Sequence, residues 1–346
     1  MAVLAFTVMA SGYTLFVIHG LGAFKTITSH FDGECINIAE VPGTEALQFD
    51  QDQNTIYFIS YNQWAVDEEV NSGKVYQLDI SDATAIPTDI TPPQLKDFHP
   101  HGLSLFQNDT ATWLFTNNHR QDGTHTVEVF RVTKGQQLIH EDRVEHEHSV
   151  SPNGILAVGP RKFYLTNDGA SRTKSSRSLD VFLRRKSGNV VYYDGKEAQI
   201  VADKLRFPNG IALSINGDEL YVAETIAGKL NVYKRNVNNG SLKHIDSIEG
   251  RVGMDNIFVN GKGELWIAVQ PNLMALSKHL KNPEKGSPSQ IIKVKRSSNG
   301  YEMDEVYSDS GDGISGASTV LQQGKTLYIG SVSESKLLKC TCDHDL

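Results

Sequence analysis

No aspartate, glutamate, lysine or arginine occurs in residues 1–24, and the rest of the chain has no extended lysine- and arginine-rich tract. With a formal net charge of -8, the second absence removes the electrostatic footprint of a nucleic-acid partner. Low-complexity tracts are missing too, so nothing reads as a linker between separate domains. No G-x-S-x-G elbow is present, since Gly313-Ile314-Ser315-Gly316-Ala317 fails at its fifth position. Cysteine is scarce, with Cys35 ahead of the repeats described below and Cys340 and Cys342 behind the last strand. A Cys35–Cys340 or Cys35–Cys342 bridge would tie the chain ends together; the alternative is reduced, buried thiols.

The uncharged stretch 1–24 is long enough for about 30 Å of helix, although Ser11, Gly12, Thr14, His19 and Gly20 dilute it. As a cleaved signal it lacks a basic start, and Leu21 stands where a small residue is expected before a cut after Ala23. A retained anchor or an amphipathic N-terminal helix fits better, with membrane or lipid association through residues 1–24. The protein is then secreted or membrane-anchored. Asn108-Asp109-Thr110 and Asn239-Gly240-Ser241 are glycosylation sequons suited to that location.

What is present is a repeat. Phe207-Pro208-Asn209-Gly210-Ile211 and Gly253-Met254-Asp255-Asn256-Ile257 each open an apolar strand, which passes through a Gly-containing turn into a second apolar strand. Comparable openings lie at Glu45, His101, Asn153 and near Ser315-Gly316. A spacing of roughly 50 residues is that of propeller blades. The reading is therefore all-β: a six-bladed β-propeller over 35–342, preceded by a hydrophobic helix. Inner and following strands are expected at 55–60 and 74–79, then at 103–106, 112–117, 126–132 and 137–142. The third blade takes 155–158, 162–166, 189–193 and 199–201, and the fourth continues to 229–233 and 242–248. The fifth takes 257–259, 265–269 and 290–294, and the sixth 318–322, 326–330 and 337–340, completed by a strand from near the first blade. The stretches 170–185 and 272–287 read as partly helical cover over one face. Glu145-His146-Glu147-His148 reads as an edge strand, and Asp309-Ser310-Gly311-Asp312-Gly313 as a loop.

If each opener heads an innermost strand, Glu45, Asn153, Asn209, Asp255 and Asn256 converge on one channel. Two carboxylates and three amides, with no thiolate or imidazole among them, form a hard oxygen set that suits Ca²⁺. Two negative charges also offset the cost of burying the ion. Asn and Asp at such positions otherwise cap turns at strand ends.

The segments His99-Pro100-His101-Gly102-Leu103-Ser104, Thr116-Asn117-Asn118-His119, Asn153-Gly154-Ile155, Thr166-Asn167-Asp168, Asn209-Gly210-Ile211, Tyr221-Val222-Ala223-Glu224 and Asp255-Asn256-Ile257 together resemble the paraoxonase/arylesterase family. The resemblance implies a channel calcium on the five openers, a catalytic histidine pair at His101 and His119, and hydrolysis of lactones and aryl esters. It also implies a Cys35–Cys340 disulfide with Cys342 free. Departures are visible: Ala46 and Gly154 stand where the family has carboxylates for a second, structural calcium, so one site is expected. Gln270 stands where vertebrate members carry a histidine near the substrate. The implied chemistry has the metal polarise the ester carbonyl, His101 take a proton from water and His119 orient it, with Asp168 a polar neighbour. A sugar-lactone hydrolase of the regucalcin/gluconolactonase kind and a non-catalytic binding propeller are the alternatives.

Overall fold

The computed structural model describes residues 2–65, 72–133, 135 and 137–346, without the side chains of 2–8 and 174. Six four-stranded antiparallel sheets surround a central channel. Blade 1 consists of Leu47–Asp50, Thr55–Ser60, Lys74–Asp79 and Thr88–Asp89, and blade 2 of Pro100–Gln107, Thr112–His119, His125–Arg131 and Ile139–Glu145. Blade 3 takes Pro152–Gly159, Lys162–Asn167, Gly188–Tyr193 and Ala198–Leu205, and blade 4 Pro208–Leu213, Glu219–Glu224, Lys229–Arg235 and Leu242–Glu249. Blade 5 takes Met254–Val259, Leu265–Val269, Ser289–Ser297 and Gly300–Asp309. Blade 6 combines Ala317–Gln323, Thr326–Ser331 and Leu337–Cys342 with the early strand Gly33–Ala39.

The period of two along each strand builds the core. In Lys162–Asn167, Phe163 and Leu165 pack towards blade 2, while Tyr164 packs towards blade 4. In Glu219–Glu224, Leu220 and Val222 face blade 3, and Tyr221 and Ala223 face blade 5. Each blade is thus apolar on both faces, and six clusters fill the six interfaces. Burial on this scale stabilises by about 1.5–3 kcal/mol for each large side chain. Trp266, fully buried between blades 5 and 6, is the largest of them.

Close approach of the inner strands shapes the channel. A Cβ on Gly102 would lie 2.5 Å from the Asn153 carbonyl oxygen, one on Gly154 2.4 Å from that of Asn209, and one on Gly210 2.3 Å from that of Asp255. Glycine therefore follows the opener in three successive blades because no side chain fits there.

The expected architecture holds, with local differences. Blade 5 has a fourth strand, Gly300–Asp309, and blade 1 a two-residue edge, Thr88–Asp89, neither of which the apolar pattern marked. The strand at Ile139–Glu145 ends before His146, so His146-Glu147-His148 lie in a turn, with the His146 ring stacked 6.0 Å from Tyr193. Helix α1 (Ala2–Gly20), α2 (Lys174–Phe182) and α3 (Leu273–His279) share one face. Val17 and Leu21 pack with Ile226 and, around them, Val181, Phe207, Leu273 and Met274. Tyr13 donates to the Phe182 carbonyl at 3.1 Å, and the Leu273 N–H donates to the Leu21 carbonyl at 3.0 Å. No helix among the described residues is long and apolar enough to cross a membrane.

The pairing of Gly33–Ala39 with Leu337–Cys342 closes the ring, and a Cys35–Cys340 disulfide fastens it across 305 residues, with Cys342 buried and free. In the chain-entropy account a loop of that length stabilises by at most roughly 5–6 kcal/mol. Cys35→Ser should therefore lower the melting temperature by several degrees, and non-reducing peptide maps should show Cys35 joined to Cys340 with Cys342 alkylated only after unfolding. A mapped Cys340–Cys342 bridge would contradict this closure. Crowding at the channel predicts that Gly210→Ala costs about 1–3 kcal/mol in urea unfolding. Gly261→Ala, with no atom within 4 Å of its added methyl, should stay within about 0.5 kcal/mol. Equal losses in the two variants would exclude the crowding explanation.

Candidate functional site

Every inner strand from blade 2 to blade 6 loses register at its opener. The breaks fall between Pro100 and Leu103, Pro152 and Ile155, Pro208 and Ile211, Met254 and Ile257, and Ala317 and Thr319. Such a bulge frees the intervening residues from the ladder and re-aims their side chains. In this way Asn153, Asn209 and Asp255 turn towards the axis, each at most 6 % exposed. Glu45, two residues ahead of Leu47–Asp50, is similarly buried, and Asn256 is half-buried. The Glu45 carbonyl accepts from Asn256 Nδ2 at 3.2 Å and from Ser318 Oγ at 3.0 Å, which links blades 1, 5 and 6.

Burial pushes the Glu45 carboxyl well above the ordinary range, and the negative charge of Asp255 adds to the effect. Burial likewise raises Asp255 to about 7, although hydrogen bonds from Gln270, Asn209 and the Asn256 N–H pull the other way. Asn209 Oδ1 is buried and has no hydrogen-bond partner. Two buried carboxylates that repel each other, beside an unpartnered amide oxygen, suit a hard cation. The residues therefore fit calcium in donor chemistry. No group of three or more His, Cys, Asp and Glu side chains poised for a metal occurs among the described residues, so the set draws on amides. Further down the channel a space of about 30 Å³ is lined by Ala46, Gly154, Asn256 and apolar side chains, with Gln48 and Thr319 as its other polar residues and no carboxylate. Gln48 Nε2 already donates to the Leu103 carbonyl at 3.1 Å.

The sequence-predicted histidines meet at the mouth. His101 Nε2 lies 3.1 Å from Glu45 Oε1, and the His101 and His119 rings cross at 5.1 Å between centroids, nearly perpendicular. Burial pushes His101 down to about 4, with the Arg177 charge contributing, and burial holds His119 well below its ordinary value. Both imidazoles are consequently neutral at neutral pH, each with a ring lone pair. The Asn153 side chain hydrogen-bonds to both His101 and Asp168. Asp168 pairs with Arg177 on α2 at 3.2 Å, so Asn153 links this ion pair to His101.

His125 escaped the sequence reading, and His99, Gln270 and Phe207 take places it did not give them. The His99 N–H accepts its orientation from Asn118, donating to Oδ1 at 2.8 Å, while His99 Nδ1 lies 3.0 Å from the His119 carbonyl. His125 Nδ1 lies 3.1 Å from His119 Nδ1 across the hairpin. Gln270, expected near the substrate, donates to Asp255 Oδ2 at 2.6 Å and to the Ala317 carbonyl at 3.2 Å, so it orients a carboxylate. Phe207, just ahead of Pro208, has φ of 56°, a left-handed conformation rare outside glycine and common at functional sites.

Residues 17–342 match the family model described as Arylesterase. Serum paraoxonase/arylesterase 1 of Mus musculus is 32% identical over 247 residues, 70% of this chain and 68% of that one. Serum paraoxonase/lactonase 3 of Mus musculus is 28% identical over 246 residues, 70% of this chain and 68% of that one. Among solved structures, a gluconolactonase from Xanthomonas campestris superposes with a TM-score of 0.55 at 15% identity, covering 90% of each chain, a likeness of fold. The chain belongs to the arylesterase family, whose members here include the serum paraoxonases.

Proposed function

We propose that this protein is a calcium-dependent hydrolase of lactones and aryl esters. One observation carries the reading: a neutral imidazole, His101, stands 3.1 Å from one of two buried carboxylates, next to an unpartnered amide oxygen. Family membership supports the same chemistry, since the relatives' names describe arylesterases and a lactonase.

Glu45, Asn153, Asn209, Asp255 and Asn256 would hold one Ca²⁺, which when bound supplies an electrophile for the ester carbonyl and for the oxyanion that forms from it. The carboxylate-free space below gives a second ion no charged ligand. His101 is the base: it removes a proton from the attacking water while the oxygen bonds to the carbonyl carbon. The C–O bond to the leaving alkoxide or phenoxide then breaks. His119 orients His101 and receives its proton; Asp168 and Arg177 steady the pair through Asn153. Phe207 joins the helical cluster of Val17, Leu21 and Ile226, and Arg177 on α2 reaches Asp168, which brings the helical face to the edge of the mouth.

The extracytoplasmic, secreted or membrane-anchored reading rests on the ring-closing disulfide and the uncharged N-terminal stretch. Met9, Leu15, Phe16 and Phe24 are exposed near Leu179 and Phe182, an apolar face suited to a lipid surface. Both sequon asparagines are exposed.

Purified protein should contain one Ca²⁺ per chain by elemental analysis, and EDTA should abolish hydrolysis of a lactone and aryl-ester panel while lowering the melting temperature. Asp255→Ala should remove bound calcium and activity together. Full activity in protein shown to hold no divalent ion would refute the metal assignment, and no turnover across the panel would favour a binding propeller. His101→Gln should lower kcat at least ~10-fold, given the usual 10²–10⁴ for a general base, with calcium content and melting temperature unchanged. His119→Gln should lose less. Undiminished lactonase activity of His101→Gln at every pH would move the base elsewhere.

A further inference from the structure

Hydrolysis of an ester or lactone at neutral pH leaves one more proton than it consumes, because the acid formed ionises. Under the proposed function that proton starts at His101, in a mouth bordered by the helical face. It needs a way out, and the geometry places a third imidazole along that way.

Strands Thr112–His119 and His125–Arg131 form a hairpin in which His119 and His125 are directly paired at the end of the ladder. Their Nδ1 atoms lie 3.1 Å apart, and the rings cross nearly perpendicularly with centroids 4.7 Å apart. Two facing Nδ1 atoms at hydrogen-bond distance need one N–H and one lone pair, so the tautomers of the two rings are coupled. Glu45, His101, His119 and His125 thus follow one another from the buried axis to the surface, where the His125 ring is half-exposed. The groups facing His125 are His119 from the paired strand, Asp122 in the hairpin turn, Arg172 ahead of α2 and Arg177 on α2. Arg172 donates to the Gly123 carbonyl at 3.3 Å and to the Ser149 carbonyl at 3.4 Å, which fixes that turn beside the ring.

We propose that His125 is the exit relay for the catalytic proton, a function that rests on the hydrolase reading of the dyad. His119, doubly protonated after receiving the proton, donates its Nδ1–H to the lone pair of His125 Nδ1. His125 then releases its Nε2 proton to bulk water, which leaves both rings as their other tautomers; proton uptake at His125 Nε2, return of its Nδ1 proton to His119 and loss of the His119 Nε2 proton to water once product has left reset the pair. No oxidant or co-reactant takes part. Burial together with the Arg172 and Arg177 charges holds His125 down to about 4, which favours rapid release once the proton has arrived.

The test uses His125→Phe and His125→Asn in the full-length calcium-loaded protein. Asn keeps a side-chain N–H near the Nδ1 position, able to fix the His119 tautomer, but it carries no proton onward. Both variants should lose roughly tenfold in kcat with KM unchanged. Free imidazole added to the buffer should restore much of that loss, and the solvent deuterium isotope effect on kcat should rise. Full activity in His125→Asn would overturn the relay and leave His125 a positioning residue. Activity lost without imidazole rescue would overturn it equally. Ring-nitrogen NMR needs no substrate: in the relay, His119 and His125 titrate together, and His119→Gln shifts the His125 titration. Independent titration of the two rings would overturn the proposal. An inactive wild-type protein with coupled rings would instead indict the hydrolase reading.

Discussion

At the channel mouth the backbones of neighbouring blades touch, and the site follows from that crowding. The carbonyl oxygens of the opening residues are engaged by the neighbours rather than by their own ladders. Asn117 donates to the Asn153 carbonyl and Thr166 to that of Asn209, at 2.6 and 2.7 Å. Thr225 does the same for the Met254 carbonyl at 2.7 Å. With the backbone satisfied sideways, the side-chain oxygens of Asn153, Asn209 and Asp255 are left to face the axis. Glycine after the opener is the steric condition for this arrangement, as its absent Cβ is where the next blade's carbonyl sits. Gly154 therefore has a double reading. Its missing carboxylate removes a ligand, and its missing side chain admits the Asn209 backbone.

Much of the fold was legible because its signal is local and repeated. Apolar strands on both sides of a turn, at blade spacing, announced six sheets, and an early strand was anticipated in the last blade. What went unread was the outer edge. Gly300–Asp309 alternates Tyr301 and Met303 with Glu302 and Asp304 only until Glu305, where a break in the register with Ser289–Ser297 interrupts the pattern. Outer strands are held by one neighbour and face solvent, and hydrophobic pattern is weakest where burial is least. The same reasoning explains Glu145-His146-Glu147-His148. Its alternation suited a strand, but the ladder partner ends at Thr126, which pairs with Glu145.

In the candidate site, residue type and position at a strand start were enough to place the five oxygen donors and His101 at one mouth. Residues whose place depends on register or on irregular segments were not found that way. Arg177 approaches Asp168 from α2, whose sequence carries no sign of which blade it will cover. Gln270 was read against a resemblance, as a replaced substrate contact; its hydrogen bond to Asp255 needed the pairing of Met254 with Val269 to be known. His125 was a more accessible omission than Arg177. Asp122-Gly123 is a strong turn signal, and a hairpin centred near it brings His119 opposite His125. Treating the histidines by motif, instead of by strand pairing, concealed it.

The charges at the mouth are arranged in layers, and the order explains how bases and carboxylates coexist within a few ångströms. Glu45 and Asp255 lie at the axis, where burial and mutual repulsion disfavour two free negative charges. Arg177 lies nearer the rim, neutralised in part by Asp168. Between them stand His101 and His119, which burial and the arginine keep uncharged. A carboxylate 3.1 Å from His101 would ordinarily favour the imidazolium and so remove the base. Placing a cation against that carboxylate takes its charge away from the imidazole and leaves the ring lone pair available. The oxygen cluster and the histidines are in this sense one electrostatic unit: a cation held by the buried carboxylates would screen Glu45 from His101 and leave the imidazole neutral with its lone pair free.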